Sequence, residues 1–253
     1  MSAVHILVDL EATCWNTEPL ASQQREESEI IELGAVMVSP ALEVMGEFQT
    51  FIRPLRHPIL SPFCTKLTTI TQADVDVAPL YADAMRDFYD WSASMTEETT
   101  ILGSWGKYDH NQLRRECALN GVAFPWPENH QHVNVKVMYA YWSGRQGSSS
   151  RQRGMGRAVE ELGLSFEGTH HRGIDDARML TQIFQHIMDP RHASSQAKTV
   201  LDMARELGRP FTVSDARRLI HLDAKRWWPS ALKELCMLGL IELRPHGDWI
   251  LRQ

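Results

Sequence analysis

Cysteine is scarce in this 253-residue chain: Cys14, Cys64, Cys117 and Cys236 are scattered, with no CxxC spacing. That pattern excludes a disulfide scaffold, argues against a zinc site, and suits a reduced, cytoplasmic protein. No apolar run approaches the ~18 residues a membrane span needs, so no membrane partner is expected. The first residues, MSAVHILVDLEATCW, carry neither a basic leader nor a small-residue cleavage site, and they read as a first strand. No internal repeat is present. The rest is ordinary: at 43% hydrophobic and 23% charged, the composition is that of a soluble globular protein. The length suits one domain of about 180–190 residues plus a small second one.

The net charge of −6 is uneven. Residues 191–253 hold 11 Lys+Arg against 7 Asp+Glu, and residues 1–190 hold 15 against 25. An acidic body with a basic tail suits carboxylates gathered at a metal site and a tail that touches phosphates. Random surface charge explains the same numbers equally well.

Hydrophobic patterning organises the chain. VHILVDLEAT (4–13), IIELGAVMVS (30–39) and EVMGEFQTFIRP (43–54) read as strands, the last two separated by a turn at Ser39-Pro40. PLYADAMRDFYDWSASM (79–95) has helical spacing, TTILGSWG (99–106) is a short strand, and DHNQLRRECALNG (109–121) is a helix stopped by Gly121. HVNVKVMYAYW (132–142) starts as a strand, GRQGSSSRQRG (144–154) is a polar connection, and MGRAVEELGL and DDARMLTQIFQHIM are helices. Three successive strands followed by alternating helix and strand predict an α/β fold, a mixed sheet flanked by helices. DPRHASSQ (189–196) reads as a linker. Beyond it come three short helices and a hairpin, the order of a winged helix-turn-helix. The expected domains are therefore 1–190 and a small basic winged-helix-like domain, 191–253. A three-helix cap or dimerisation element fits the second equally well.

Three polar patterns stand out. In a strand, Asp9 and Glu11 point to one face, and burying two carboxylates at the end of an apolar strand is costly unless a cation shares them. Asp109 follows a strand end, where sites gather in α/β proteins, although it could equally cap the next helix. HHRGIDDARML (170–180) sets two histidines and two aspartates at a helix start, where the dipole favours carboxylates and a histidine can exchange protons near neutral pH. Each pattern alone is most simply a solvated acid or a surface histidine.

Together, in this order, they resemble the DnaQ-like (DEDDh) 3′–5′ exonuclease superfamily. The stretches DLEATCW, EIIELGAV, LSPFCTKLTTITQADVDVA, GSWGKYDHNQL and GTHHRGIDDARM look closer still to the Eri-type exoribonucleases. The resemblance covers roughly residues 4–188 and omits the C-terminal segment. It implies an RNase H-like five-stranded mixed sheet and hydrolysis from a 3′ end by two ions, Mg²⁺ or Mn²⁺, releasing 5′-mononucleotides. It assigns the metals to Asp9, Glu11, Asp109 and Asp176, and the general base to His171. A base-to-acid spacing of five selects His171 over His170 and Asp176 over Asp175. One departure is Gly106-Lys107-Tyr108, inserted between the tryptophan and the acid where some relatives have none.

The resemblance also places the terminal nucleotide against Ala12, Thr13, Leu67, Thr68 and Ile70. Trp105, Tyr108 and His110 flank the second acid, where they could stack on a base or simply pack. Residues 16–29 could form a flap over the site. Arg217, Arg218, Lys225, Arg226, Trp227 and Trp228 could add phosphate contacts and stacking, though tryptophans in so small a module more often form core. Single-stranded or 3′-overhang nucleic acid is the expected substrate, with RNA favoured by the Eri-type likeness. A DNA exonuclease of repair or proofreading and a nucleic-acid-binding regulator with a vestigial nuclease domain are the rival readings. A homodimer or a protein partner docked through the C-terminal domain is left open.

Overall fold

The computed structural model describes residues 3–16, 27–126, 132–143, 154–219 and 224–252. Residues 17–26 of the expected flap lie outside the described residues, as do the side chains of Arg217, Lys225, Arg226, Trp227 and Trp228. The chain divides into two compact units, residues 2–134 with 165–182 and residues 135–164 with 183–253.

The first unit is built on a five-stranded sheet in the order β3-β2-β1-β4-β5. Its strands are β1 (Val4–Ala12), β2 (Ile30–Val38), β3 (Val44–Phe51), β4 (Thr100–Ser104) and the two-residue β5 (Val133–Asn134). β1 pairs antiparallel with β2 along its length and parallel with β4 over Val4–Leu7, so it is central and its C-terminal end extends past β4. β2 is buried along its whole length, as its near-continuous apolar run requires. β3 lies at the sheet edge and is only partly covered.

Between β3 and β4 run α1 (Pro62–Thr68), α2 (Gln72–Asp76) and α3 (Tyr81–Met95). Ala84, Met85 and Phe88 of α3 bury against Val4, Ile6 and Val8 of β1, together with Leu33, Ala35 and Met37 of β2. α4 (Tyr108–Leu119) follows β4 and buries Leu113 and Cys117 in the same core.

The second unit contains α5 (Val135–Trp142), α6 (Met155–Leu162) and the C-terminal part of α7 (Gly173–Met188). It continues through α8 (Ser195–Leu207), α9 (Val213–Leu219), α10 (Ala224–Met237) and the hairpin β6 (Ile241–Leu243)–β7 (Trp249–Leu251). Ala197, Val200, Ala204, Phe211, Leu235 and Ile241 form its core. The expected order of three helices and a hairpin is present. Within the expected linker, Asp189 accepts from the Arg191 amide at 2.8 Å, opening a 3₁₀ turn at Pro190–His192, and Ser194 caps α8. α5 packs with this unit, donating from Trp142 Nε1 to the His192 carbonyl at 2.8 Å and receiving Lys233 Nζ on the Tyr141 hydroxyl at 3.1 Å.

Among the described residues, no helix is long and apolar enough to cross a membrane.

Candidate active site

Asp9 and Glu11 stand at the C-terminal end of β1, on the same face because strand side chains alternate. Their register partners on β2 are Gly34 and Glu32. A Cβ added to Gly34 would lie 2.1 Å from the Gly173 carbonyl carbon. Glycine at 34 therefore lets the start of α7 rest directly on the sheet beside Asp9. A Cβ on Gly173 itself would come 3.1 Å from the Asp9 carbonyl oxygen. Two glycines, distant in sequence, thus set the last aspartate beside the first strand.

The turn before α7 decides between adjacent candidates. Asp175 is occupied elsewhere: Oδ2 accepts from the Thr169 amide at 2.9 Å and Oδ1 from Arg178 Nη1 at 2.9 Å. Asp176 faces the strand acids, and its Oδ2 accepts from the His171 amide at 2.9 Å. That bond holds His171 at φ 61°, a left-handed conformation that costs a non-glycine residue about 1 kcal/mol. The His171 ring is half exposed, with Nδ1 4.0 Å from Glu11 Oε1. His170 instead stacks on Phe166, with ring centroids 3.9 Å apart, while its Nδ1 lies 3.8 Å from Asp176 Oδ1. Ligand atoms of Glu11, His171 and Asp176 all lie within 4.8 Å of one another.

Asp109 is in the first turn of α4 rather than at its cap, which is Lys107. Gly106, at φ 111°, turns the chain between β4 and the start of α4. Asp109 is buried, and the Leu10 backbone and Ser104 side chain lie close enough to lower its proton affinity, which places it beside the strand that carries Asp9 and Glu11.

Crowding raises the proton affinity of all four carboxyls. Burial holds Asp9 well above the ordinary carboxylate range, and the charges of Asp109, Asp176, Glu11 and Glu32 add to it. Burial, followed by Asp176 and Glu32, pushes Glu11 up to about 8. Burial takes Asp109 to about 7 against the pull of its hydrogen bonds. Asp176 is raised by burial and opposed by the His171 amide. Asp176 Oδ1 is buried with no hydrogen-bond partner. An unsatisfied buried oxygen among mutually repelling carboxylates is a donor set that suits a hard divalent cation, which takes oxygen ligands.

The expected nucleotide-binding residues are placed unevenly. Leu67 is exposed, but Thr68 is fully buried: its hydroxyl donates to the Cys64 carbonyl at 2.9 Å and accepts from the Ile70 amide at 3.1 Å. Ile70 packs under that turn with Ile31, Leu60 and Val75. Ala12 is partly exposed. Thr13 is buried, its hydroxyl receiving the Glu29 amide at 2.9 Å. Trp105 is partly buried. His110 packs edge-on against Phe124 at 5.6 Å and beside His132 at 4.7 Å. Cys14, without an evident partner in the sequence, packs at the cluster containing Cys64, whose Sγ donates to the Ala12 carbonyl at 3.8 Å. Glu32 was not among the candidates. The signal was a lone acid inside an otherwise apolar strand.

A mixed sheet with acids at the end of its central strand, joined by acids from two helix starts, defines an RNase H-like nuclease. The exonuclease family matches residues 6–184. The 3′–5′ exonuclease Snipper of Drosophila melanogaster is 34% identical over 192 residues, covering 69% of this chain and 66% of its own. ERI1 exoribonuclease 2 of Mus musculus is 30% identical over 193 residues, covering 68% of this chain but only 27% of its own. Among solved structures, the nuclease domain of 3′hExo, a DEDDh family member bound to rAMP, has a TM-score of 0.65 at 27% identity, over 74% of this chain and 92% of that one. The chain belongs to the exonuclease family, in its DEDDh, 3′–5′ branch. It spans less than two thirds of the length of these curated relatives.

Proposed function

We propose that this protein removes nucleotides one at a time from the 3′ end of single-stranded RNA, or of a single-stranded RNA overhang, and releases 5′-mononucleotides. The observation that carries the reading is the convergence of Glu11, Asp176 and His171 within 4.8 Å, with Asp9 and Asp109 crowding the same carboxylates. The donor set fits two divalent ions, Mg²⁺ or Mn²⁺. Asp9 would be shared between them, Glu11 and Asp176 would complete one position, and Asp109 would serve the other. Such ions, when bound, supply charge neutralisation at the scissile phosphodiester and make water more acidic.

The chain's own groups do the rest. The half-exposed His171 imidazole takes a proton from the attacking water, the task for which a near-neutral base is suited. Its main-chain N–H donates to Asp176 Oδ2 at 2.9 Å, which fixes the backbone that carries the ring. Ala12 and Leu67, the open members of their segments, would meet the terminal sugar and base, while Thr13, Thr68 and Ile70 shape the wall behind them. RNA is supported by the exoribonuclease relative and by the rAMP complex of the structural neighbour. DNA is the second reading, supported by a fly relative named simply as an exonuclease. The net positive segment 191–253 would extend the nucleic-acid contact; a second copy or a protein partner on that unit is the alternative.

The test is digestion of matched 3′-end-labelled RNA and DNA oligomers with Mg²⁺, Mn²⁺ or EDTA. Stepwise, metal-dependent shortening of RNA, slowed about 10²–10⁴-fold in His171→Ala, is expected. Faster shortening of DNA would shift the protein to repair or proofreading. No shortening of either would leave a binding protein with a remnant nuclease fold.

A further inference from the structure

Glu32 is an acid beside the site that the proposed chemistry leaves without a task. It is completely buried near the start of β2, opposite Glu11. A charge there is tolerated only if fully paired. Glu32 is: Oε2 accepts from Arg172 Nε at 3.1 Å and from the Gly173 amide at 3.0 Å, and Oε1 accepts from Gln49 Nε2 at 2.6 Å. Both Oε2 donors directly follow His171 in the chain. The Arg172 guanidinium also covers the Phe51 ring at 5.2 Å, which fixes the same turn from β3.

We infer that Glu32 is the positioning residue for His171. Its carboxylate clamps Arg172 and Gly173 to the sheet, and the clamp holds the strained His171 backbone with its imidazole toward Glu11 and Asp176. Gln49 keeps the carboxylate aimed at the turn. Glu32 touches neither substrate nor reacting atoms, so it acts only through His171. Neighbouring acids alone would not require this arrangement: an apolar residue at 32 would fit β2 better and avoid a buried charge next to Glu11.

This inference rests on the exonuclease reading, and a double-mutant cycle in the full-length protein separates the two. In the His171-containing protein, Glu32→Gln is expected to lower kcat roughly 10–100-fold, the scale of a 1 Å misplacement, with KM changed less than about twofold. In the His171→Ala background the same substitution should change kcat by less than about twofold, because the group it positions is gone. Arg172→Gln, which leaves β2 intact, should show the same dependence and guards against a Glu32 variant that fails to fold. Equal losses in both backgrounds, or a loss carried by KM, overturn the role. A second readout needs no turnover: hydrogen exchange at the Gly173 amide should quicken about tenfold or more in Glu32→Gln while the rest of β2 keeps its protection. Unchanged exchange at Gly173 overturns the clamp even if the wild type proves inactive, and inactivity of the wild type by itself counts only against the exonuclease reading.

Discussion

Asp9 shows how costly this site is without a cation. Its carboxyl, with those of Glu11, Asp109 and Asp176, has a proton affinity raised by folding. A carboxyl with a raised native pKa adds stability below its unfolded pKa, and that contribution is lost as pH rises through the native value. The metal-free protein is therefore expected to lose stability between about pH 5 and pH 8, since Glu11 reaches about 8 and Asp109 about 7. Mg²⁺ should restore it, by an amount that grows across the same interval; thermal melts at stepped pH, with Mg²⁺ or EDTA, check both. Asp9→Asn should raise the melting temperature of the metal-free protein, abolish the Mg²⁺-induced increase, and cut turnover by roughly 10²–10⁴-fold, the several kcal/mol that bound metal supplies. A lower metal-free melting temperature for that variant would contradict the crowding described here.

The histidines also differ at this scale. His171→Ala is expected to reduce kcat about 10²–10⁴-fold, the usual contribution of a general base. His170→Ala should cost only a few-fold, because that ring is spent on Phe166. The sequence could not separate these neighbours by type, and only the family spacing chose between them. The structural difference lies in a main-chain amide bonded to Asp176.

At the scale of elements, the decisive contact is α7 on β2. Gly34→Ala would drive a methyl into the Gly173 carbonyl. Overpacking of this kind typically costs about 1–3 kcal/mol, and here it would also push Asp176 away from Asp9. A lowered urea midpoint, with kcat reduced more than the stability loss explains, is expected. The strands, α3 and α4 were legible because each carries its own periodicity: continuous apolar residues in β2, helical spacing in Tyr81–Met95. Helix starts were legible where acids and glycines mark them. What periodicity could not disclose was the single acid inside the apolar run, since Glu32 finds its partners at positions 49, 172 and 173, remote from it in the chain.

At the scale of the molecule, composition and compactness divide the chain differently. The polar stretch at 189–196 suggests a cut there, yet residues 135–164 belong to the same compact unit as residues 183–253. The physical reason is α5: Tyr139 is buried, Tyr141 carries Lys233, and Trp142 is bonded to the His192 carbonyl. A fragment ending at residue 190 would strip α5 of these partners. It is expected to melt at a lower temperature than the whole chain and to bind a hydrophobic dye more strongly. A fragment as stable as the full chain would show that α5 does not depend on residues 191–253.

What the sequence by itself determined was local or additive. The order of elements follows from hydrophobic period, and the chemistry on offer from four carboxylates and a histidine in a recognisable order. The tertiary structure decided everything that depends on distance between remote residues. It chose which of two adjacent aspartates turns inward, brought Asp109 against β1, packed Cys14 at the cluster of Cys64, and tied the His171 turn to Glu32. Burial is the reason for that division. A carboxylate has the same intrinsic chemistry anywhere in a chain, but its charge becomes costly, and therefore useful to a cation, only when the fold removes water and sets other acids beside it.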